Sequence, residues 1–138
     1  MEPIVLNIRI LKPVEKVWDL YTKPEHITKW NVQSGEWSCP KVDVDFREGG
    51  HFRFTMLLKK FKFSYDLAGT YSRIDMHRHI TMAMEDGREV NVDFQPLDAA
   101  TTDITYSFMP RKGLSWRTQR ENWYNILDNF HKYAERQK

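Results

Sequence analysis

The sequence is poor in cysteine and has no long apolar segment. Cys39 is the one cysteine in 138 residues, so an intrachain disulfide is impossible and a reducing compartment is favoured. Nowhere do 18 apolar residues follow one another, and Met1 to Ile10 has no basic head before a long apolar stretch. A membrane span and a signal peptide are therefore not expected, and we predict a cytoplasmic protein without a membrane partner.

Charge of one sign is also lacking. Lysine and arginine total 21 against 19 acidic residues, a formal net charge of +2, and the two signs alternate without a long basic run. A nucleic-acid partner is therefore not expected. The chain has no internal repeat, low-complexity tract or linker, and its length suits one domain, residues 1–138, with its own core.

Signatures of catalysis and metal binding are missing as well. The sequence has no Gly-x-Ser-x-Gly, His-Glu-x-x-His or nucleotide-binding loop, so we expect no catalytic residue, metal or cofactor. His77 and His79 lack further ligands at a suitable spacing, which favours a solvated strand end. Cys39 has no histidine nearby in sequence and is expected to be inert. Gly49 and Gly50 precede a strand, which indicates a turn or bulge with unusual φ.

What the sequence does have is alternation, in a chain where aromatic residues make up 14% and rigid rings suit a pocketed core. Apolar and polar residues alternate over 4–10 and again through six segments from 37 to 108, which predicts an antiparallel meander of about seven strands with one dry face. Asp86-Gly87 predicts a hairpin with a type I′ turn. The cleanest run places five side chains on the dry face: Phe61, Phe63, Tyr65, Leu67 and Tyr71.

Helices are predicted at both ends of this meander. Pro13 and Pro24 each suit the start of a short helix after the first strand. Residues 114–138 predict one long helix with five residues on one stripe: Trp116, Trp123, Leu127, Phe130 and Ala134. Such a stripe must be covered, and the sheet is the available partner. The chain is therefore predicted to be α+β, with space under the helix that side chains or a ligand fill.

Several short motifs resemble one family by their order and spacing. They are Val17-Trp18 after Pro13, Pro24-Glu25 with Trp30-Asn31, residues 46–50, Gly69-Thr70-Tyr71 with Ile74, Asp86-Gly87-Arg88 with Val90, Val92 and Phe94, Thr102, and residues 123–130. The chain resembles the family named after the activator of the ninety-kilodalton heat-shock protein's ATPase, a branch of the START-like, SRPBCC or helix-grip, superfamily. The resemblance extends over nearly the whole chain.

The resemblance implies a curved antiparallel sheet around the C-terminal helix, with a cavity for a hydrophobic ligand between them. It implies no catalytic motif. Twelve residues are expected to line the cavity: Trp30, Phe52, Phe54, Tyr65, Met82, Phe94, Tyr106, Phe108, Trp116, Arg120, Trp123 and Leu127.

Polar residues in this set or near it have two interpretations each. Arg120, about 60° from the centre of the stripe, either fixes a carboxylate or phosphate head group or lays its stem on aromatic rings with its head in water. Gln119 has the same two alternatives. Tyr65, Tyr71 and Tyr106 either orient a polar ligand or bond to backbone and water within a core.

Three functions follow as hypotheses. The first is a module that binds a small hydrophobic or aromatic molecule, with one or two polar anchors. The second is a protein-interaction or co-chaperone module, with a chaperone or a second copy of the chain as partner and the cationic hairpin at Leu58 to Phe61 as one contact surface. The third is a cyclase-like or hydrolase-like enzyme that works by positioning its substrate.

Overall fold

The alternating segments form one antiparallel sheet of seven strands in the computed structural model, which describes residues 2–138. The elements, in chain order, are β1 (Ile4–Ile10), α1 (Val14–Thr22), α2 (Pro24–Trp30), β2 (Trp37–Val44), β3 (His51–Leu58), β4 (Phe63–Asp75), β5 (His79–Met84), β6 (Glu89–Asp98), β7 (Thr101–Phe108) and α3 (Trp116–Arg136).

The strand order β1-β7-β6-β5-β4-β3-β2 is a meander that β1 joins from the far end, next to β7. Register shifts interrupt β2, β4 and β6, and such irregularities bend strands. The sheet curves into a half-barrel, with α3 on its concave side. This confirms the predicted helix-grip fold.

The β5–β6 hairpin confirms the prediction at Asp86-Gly87, but the turn type was wrong. Gly87 N donates to Met84 O at 3.0 Å, and Met84 N donates to Arg88 O at 2.8 Å. Of these turn residues only Gly87, at φ +93°, has a left-handed conformation, whereas a type I′ turn needs positive φ at both central residues. The loop is a type I turn followed by a glycine bulge, which makes Arg88 the first residue after the bulge.

Helix α3 begins at a serine cap and buries its apolar stripe only in its later turns. Ser115 Oγ accepts a hydrogen bond from Thr118 N at 3.2 Å, the usual cap of a helix start. Leu127, Phe130 and Ala134 are buried as predicted, but Trp116 at the first turn is 39% exposed. The helix packs against β1, α1 and α2, so its N-terminal turns leave the β3–β4 side of the concave face uncovered.

That uncovered side explains a second difference from the predicted dry face. Phe61, Phe63 and Tyr65 are 70%, 54% and 40% exposed, although Phe63 and Tyr65 alternate with polar residues as predicted. Alternation determines which face a side chain occupies, and the extent of α3 determines whether that face is covered. None of the helices among residues 2–138 is long and apolar enough to cross a membrane.

Candidate functional site

The space directly beneath α3 is almost filled by side chains. A hollow of about 30 Å³ lies there, between α2, the middle of the sheet and the centre of α3. Such a volume holds a water molecule but no organic ligand of ordinary size. Six of the residues predicted to line a ligand cavity border it: Trp30, Phe54, Met82, Tyr106, Trp123 and Leu127.

Three tyrosines also border this hollow and bring hydroxyl groups into the core. Burial raises the pKa of Tyr21, Tyr71 and Tyr106 above the ordinary value of a phenol, so all three are neutral at physiological pH. Neutral hydroxyl groups around a space of this size suit one bridging water.

Three further predicted cavity residues lie in the solid core and border neither cavity. Phe52, Phe94 and Phe108 are almost wholly buried. The ring of Phe94 packs edge-on against Trp18 at 5.0 Å and Tyr21 at 5.5 Å between centroids. These rings occupy the room that the predicted deep cavity needed, and their role as ligand contacts stays a prediction.

A larger cleft opens beside the N-terminal half of α3. Its volume is about 470 Å³, within the range of about 300–1,000 Å³ usual for small-molecule sites. It lies between β4, the β5–β6 turn, the segment before α3 and the first turns of α3. Sixteen residues border it: Gln33, Met56, Tyr65, Asp66, Leu67, Ala68, Met84, Glu85, Asp86, Arg88, Arg111, Leu114, Gln119, Asn122, Trp123 and Ile126.

Two arginines and one aspartate form the polar end of this cleft. The Arg88 guanidinium donates to the Asp86 carboxylate at 2.7 Å from Nη2 and 2.9 Å from Nε. Arg111 Nε lies 3.7 Å from the same carboxylate. The Arg88 side chain is only 11% exposed, and its Cζ lies 5.8 Å and 5.9 Å from the ring centroids of Phe108 and Trp123. The cleft therefore holds a fixed guanidinium beside aromatic faces.

The charges at this end influence the titratable groups around them. Burial alone would raise the pKa of Asp86, but hydrogen bonds and positive charge from Arg88, with the charge of Arg111, outweigh it and lower that pKa. Asp86 is thus ionised at neutral pH. Burial raises the pKa of Tyr65, and the positive charges of Arg88 and Arg111 oppose that rise. Tyr65, which borders the same cleft, therefore lies within electrostatic range of both arginines.

One arginine outside the cleft, Arg53, pairs with both of the other acidic residues of the cleft wall. Asp66 accepts a hydrogen bond from Arg53 Nη1 at 3.0 Å and another from Thr55. Glu85 lies 3.9 Å from Arg53 Nη2. At the polar end of the cleft two guanidinium groups surround the Asp86 carboxylate, whereas the cleft as a whole, with Arg53 included, has three guanidinium groups against three carboxylates.

Gln119 holds the segment that carries Arg111. This buried side chain accepts a hydrogen bond from Arg111 N at 2.8 Å and donates to Arg111 O at 3.0 Å and Leu114 O at 3.2 Å. All its hydrogen bonds go to backbone atoms, so Gln119 positions the loop between β7 and α3. It therefore neither binds a head group nor extends its polar end into water, the two roles expected of it. We call residues 111–114, as held by Gln119, the clamped loop.

Arg120 and Trp116 lie away from the cleft. Arg120 is exposed and borders neither cavity, so its predicted place on the covered side of α3 was wrong. The helix is turned so that Gln119, one residue earlier, faces inward. Trp116 Nε1 donates to Glu2 O at 3.0 Å and also lies outside both cavities.

Two of the cleft's key residues were not among the predicted site residues. Arg88 comes directly after the Asp86-Gly87 turn, and this position was the one sign in the sequence that it could pair with the turn aspartate. Arg111 lies in a loop without periodicity, so no sequence pattern indicated its direction. Tyr65 was predicted and does border the cleft, together with Trp123.

A row of hydrogen-bonded side chains on the outer face of the sheet includes an aspartate, a histidine and a hydroxyl group, as many hydrolase active sites do. His79 Nδ1 lies 2.6 Å from Asp93 Oδ1, and its Nε2 lies 2.6 Å from Thr81 Oγ1. The Thr81 hydroxyl is also 2.8 Å from Asn91 Oδ1. These residues border neither cavity, so they form a cross-strand network. The expectation of a solvated strand end was wrong for His79, whose side chain is 14% exposed.

Cys39 and the acidic and histidine side chains offer no alternative centre. The Cys39 thiol is buried, and burial raises its pKa to about 11, so the thiol stays protonated at neutral pH. Within residues 2–138, no group of three or more histidine, cysteine, aspartate or glutamate residues is arranged to hold a metal ion.

Comparison with known proteins gives both a sequence family and structural neighbours. The family described as activator of Hsp90 ATPase homolog 1-like protein matches residues 12–135. No curated protein matches the chain. The solution structure of an AHSA1-like protein from Aeromonas hydrophila is 31% identical and superposes with a TM-score of 0.86, over 95% of this chain and 92% of that one.

Two other structures agree with this fold. A solution structure from Cytophaga hutchinsonii is 33% identical, with a TM-score of 0.83 over 96% of this chain and 91% of that one. A crystal structure from Chromobacterium violaceum is 18% identical, with a TM-score of 0.87 over 99% and 100%, and shows the fold alone. Family and fold together support a generic ligand-binding or co-chaperone-like module. The chain belongs to the Hsp90 ATPase activator homologue 1-like family, within the START-like superfamily.

Proposed function

We propose that this protein binds a small amphipathic molecule with a carboxylate group in the open cleft beside α3. The observation that carries the proposal is the pair of guanidinium groups around Asp86 at one end of a 470 Å³ cleft that also has Trp123, Met84 and Leu67 in its wall. Trp123, Met84 and Leu67 would contact the apolar body. The carboxylate would lie beside Arg88 and Arg111, where planar guanidinium groups can each donate two hydrogen bonds.

Magnitudes indicate why the polar end matters. A ligand that buries roughly 300 Å² of apolar area gains about 7 kcal/mol at about 25 cal/mol per Å². Loss of translational and rotational freedom takes back at least about 4 kcal/mol, so apolar contact alone binds weakly. A hydrogen bond to a charged group adds about 1.5–3 kcal/mol and brings such a ligand into a useful range.

The arginine and aspartate of the cleft should act in opposite directions. Naphthoate, an aromatic carboxylate, serves as the probe. Arg111→Gln removes one guanidinium from a side chain that is 52% exposed, so the protein should still fold. Its affinity for naphthoate should fall about tenfold, because one charged hydrogen-bond donor is lost. Asp86→Asn removes the carboxylate that competes for both arginines, and affinity for naphthoate should rise. Isothermal titration calorimetry of each variant with naphthoate measures both effects.

Naphthamide is the matched neutral probe, because it keeps the ring and loses the charge. Neither substitution should change its affinity by more than about twofold. Arg120→Ala is the matched control variant, since it removes an arginine outside the cleft and should leave both affinities unchanged. Equal effects of Arg111→Gln on the acid and the amide would contradict a carboxylate site.

A further inference from the structure

The end of the β3–β4 hairpin exposes an aromatic strip that continues the concave face beyond α3. Phe61 and Phe63 are the most exposed aromatic residues among those described, and Tyr65 lies next to them on β4. Trp37 on β2 packs edge-on against Tyr65 at 5.6 Å, and Leu58 pairs with Phe63 across the hairpin. We call these five residues the aromatic strip. Tyr65 also borders the cleft, so the strip and the cleft mouth are contiguous.

Lysines surround the tip of this strip. Lys59 and Lys60 lie in the 3-10 turn Lys59–Phe61, and Lys62 follows in a left-handed conformation at φ +50°. All three are exposed, and Lys60 Nζ lies 5.7 Å from the Phe61 ring centroid. Residues 57–65 include no acidic residue, so the tip has a charge of +3 on a protruding turn.

The composition of the strip favours one kind of partner. A second copy of the chain in a twofold contact would bring two lysine clusters together, and like charges oppose such a contact. Protein interfaces are depleted in lysine. Aromatic rings together with lysines, whose long stems keep the charge at head-group level, are typical of contacts with an anionic bilayer surface.

We propose that the β3–β4 hairpin tip docks on an anionic lipid surface. Phe61 and Phe63 enter the interfacial region, and the three lysines contact lipid head groups. A contact of this kind needs no membrane-spanning segment, so it agrees with the expectation of no span, but it departs from the expectation of no membrane partner. The inference goes beyond the cleft and is independent of the proposed ligand.

Sedimentation with lipid vesicles tests the docking. The protein should bind vesicles of mixed phosphatidylcholine and phosphatidylserine far more tightly than vesicles of phosphatidylcholine alone. Each lysine near an anionic surface contributes about fivefold, so Lys59→Gln, Lys60→Gln and Lys62→Gln together should weaken binding roughly a hundredfold. High salt should weaken binding of the unmodified protein in the same direction.

A second triple variant matches this change of charge elsewhere. Lys23→Gln, Lys29→Gln and Lys132→Gln remove three exposed lysines in or next to helices and give the same net charge. This variant should keep most of the affinity. Equal losses in the two triple variants would overturn the hairpin as the contact, because net charge alone would then explain binding.

Insertion of the aromatic strip has its own readout. Phe61→Trp keeps an aromatic ring at the tip, and the emission that it adds to that of the five native tryptophans should shift to the blue when mixed vesicles are added. Phe61→Ser with Phe63→Ser should remove the part of the binding that resists salt. An unshifted emission would overturn insertion, and binding of polyglutamate without binding of vesicles would overturn the lipid partner in favour of an acidic protein.

Discussion

At the scale of single residues, the sheet tolerates no side chain at Gly69. A Cβ atom there would lie 2.1 Å from Ala83 O and 2.9 Å from Phe52 Cζ. The first atom is backbone of β5 and the second belongs to a fully buried ring, so neither can move away cheaply. Gly69 thus lets two strands and a core ring meet just inside the cleft wall.

Gly69→Ala should therefore lower the free energy of unfolding by about 1–3 kcal/mol, as expected for overpacking. Gly35→Ala is the matched control, because nothing lies within 4 Å of a Cβ there and its φ is ordinary. That control should change stability by less than about 0.5 kcal/mol. Urea unfolding followed by circular dichroism measures both, and similar stabilities of the two variants would show that the contact at Gly69 is not tight.

At the scale of elements, the clamped loop links α3 to the polar end of the cleft. Gln119 satisfies three backbone groups of residues 111–114, so removing its amide leaves them without partners. Arg111 then loses its fixed position although its charge is retained. A positioning residue of this kind should affect ligand affinity through order rather than through charge.

Gln119→Leu should lower the free energy of unfolding by about 1–3 kcal/mol and speed hydrogen exchange at the Arg111 amide. Naphthoate affinity should fall as well. Arg120→Ala, one residue further along α3, is the control and should change none of these quantities. Unchanged exchange at Arg111 in Gln119→Leu would mean that the loop keeps its structure without the clamp.

Sequence patterns predicted the elements well because period-two alternation and proline positions are local properties. The meander, the two short helices and the long terminal helix follow from them. Which side chains of the concave face are buried was less predictable, because that depends on where α3 lies over the sheet. Tyr65 and Trp116 were therefore expected to be covered and are partly exposed.

The site was predicted less well than the fold. Aromatic residues on the concave face were expected to line a deep cavity. Instead, Phe52, Phe94 and Phe108 are buried and fill the space. Their rings pack against those of Tyr71, Trp18 and Trp123, respectively. Packing density is a property of the whole core, and no residue pattern reveals it. Arg111 lies in an irregular loop, and its direction depends on a side chain eight positions later, Gln119.

At the scale of the whole molecule, the helix-grip fold has a closed and an open part. The closed part lies under the centre of α3, where the core leaves about 30 Å³. The open part lies beside its N-terminal half, where a cleft of about 470 Å³ ends at Arg88 and Arg111. The central claim is that ligands enter the open part and leave the closed part unchanged.

Side-chain NMR during titration with naphthoate tests this claim most directly. Arg111 reports on the cleft and Ile80 on the closed hollow, because each borders only that cavity. The account predicts that the Arg111 Nε–H resonance shifts in a saturable way while the Ile80 methyl resonances stay in place. Shifts at Ile80 with an unchanged Arg111 would contradict it and place the ligand beneath α3.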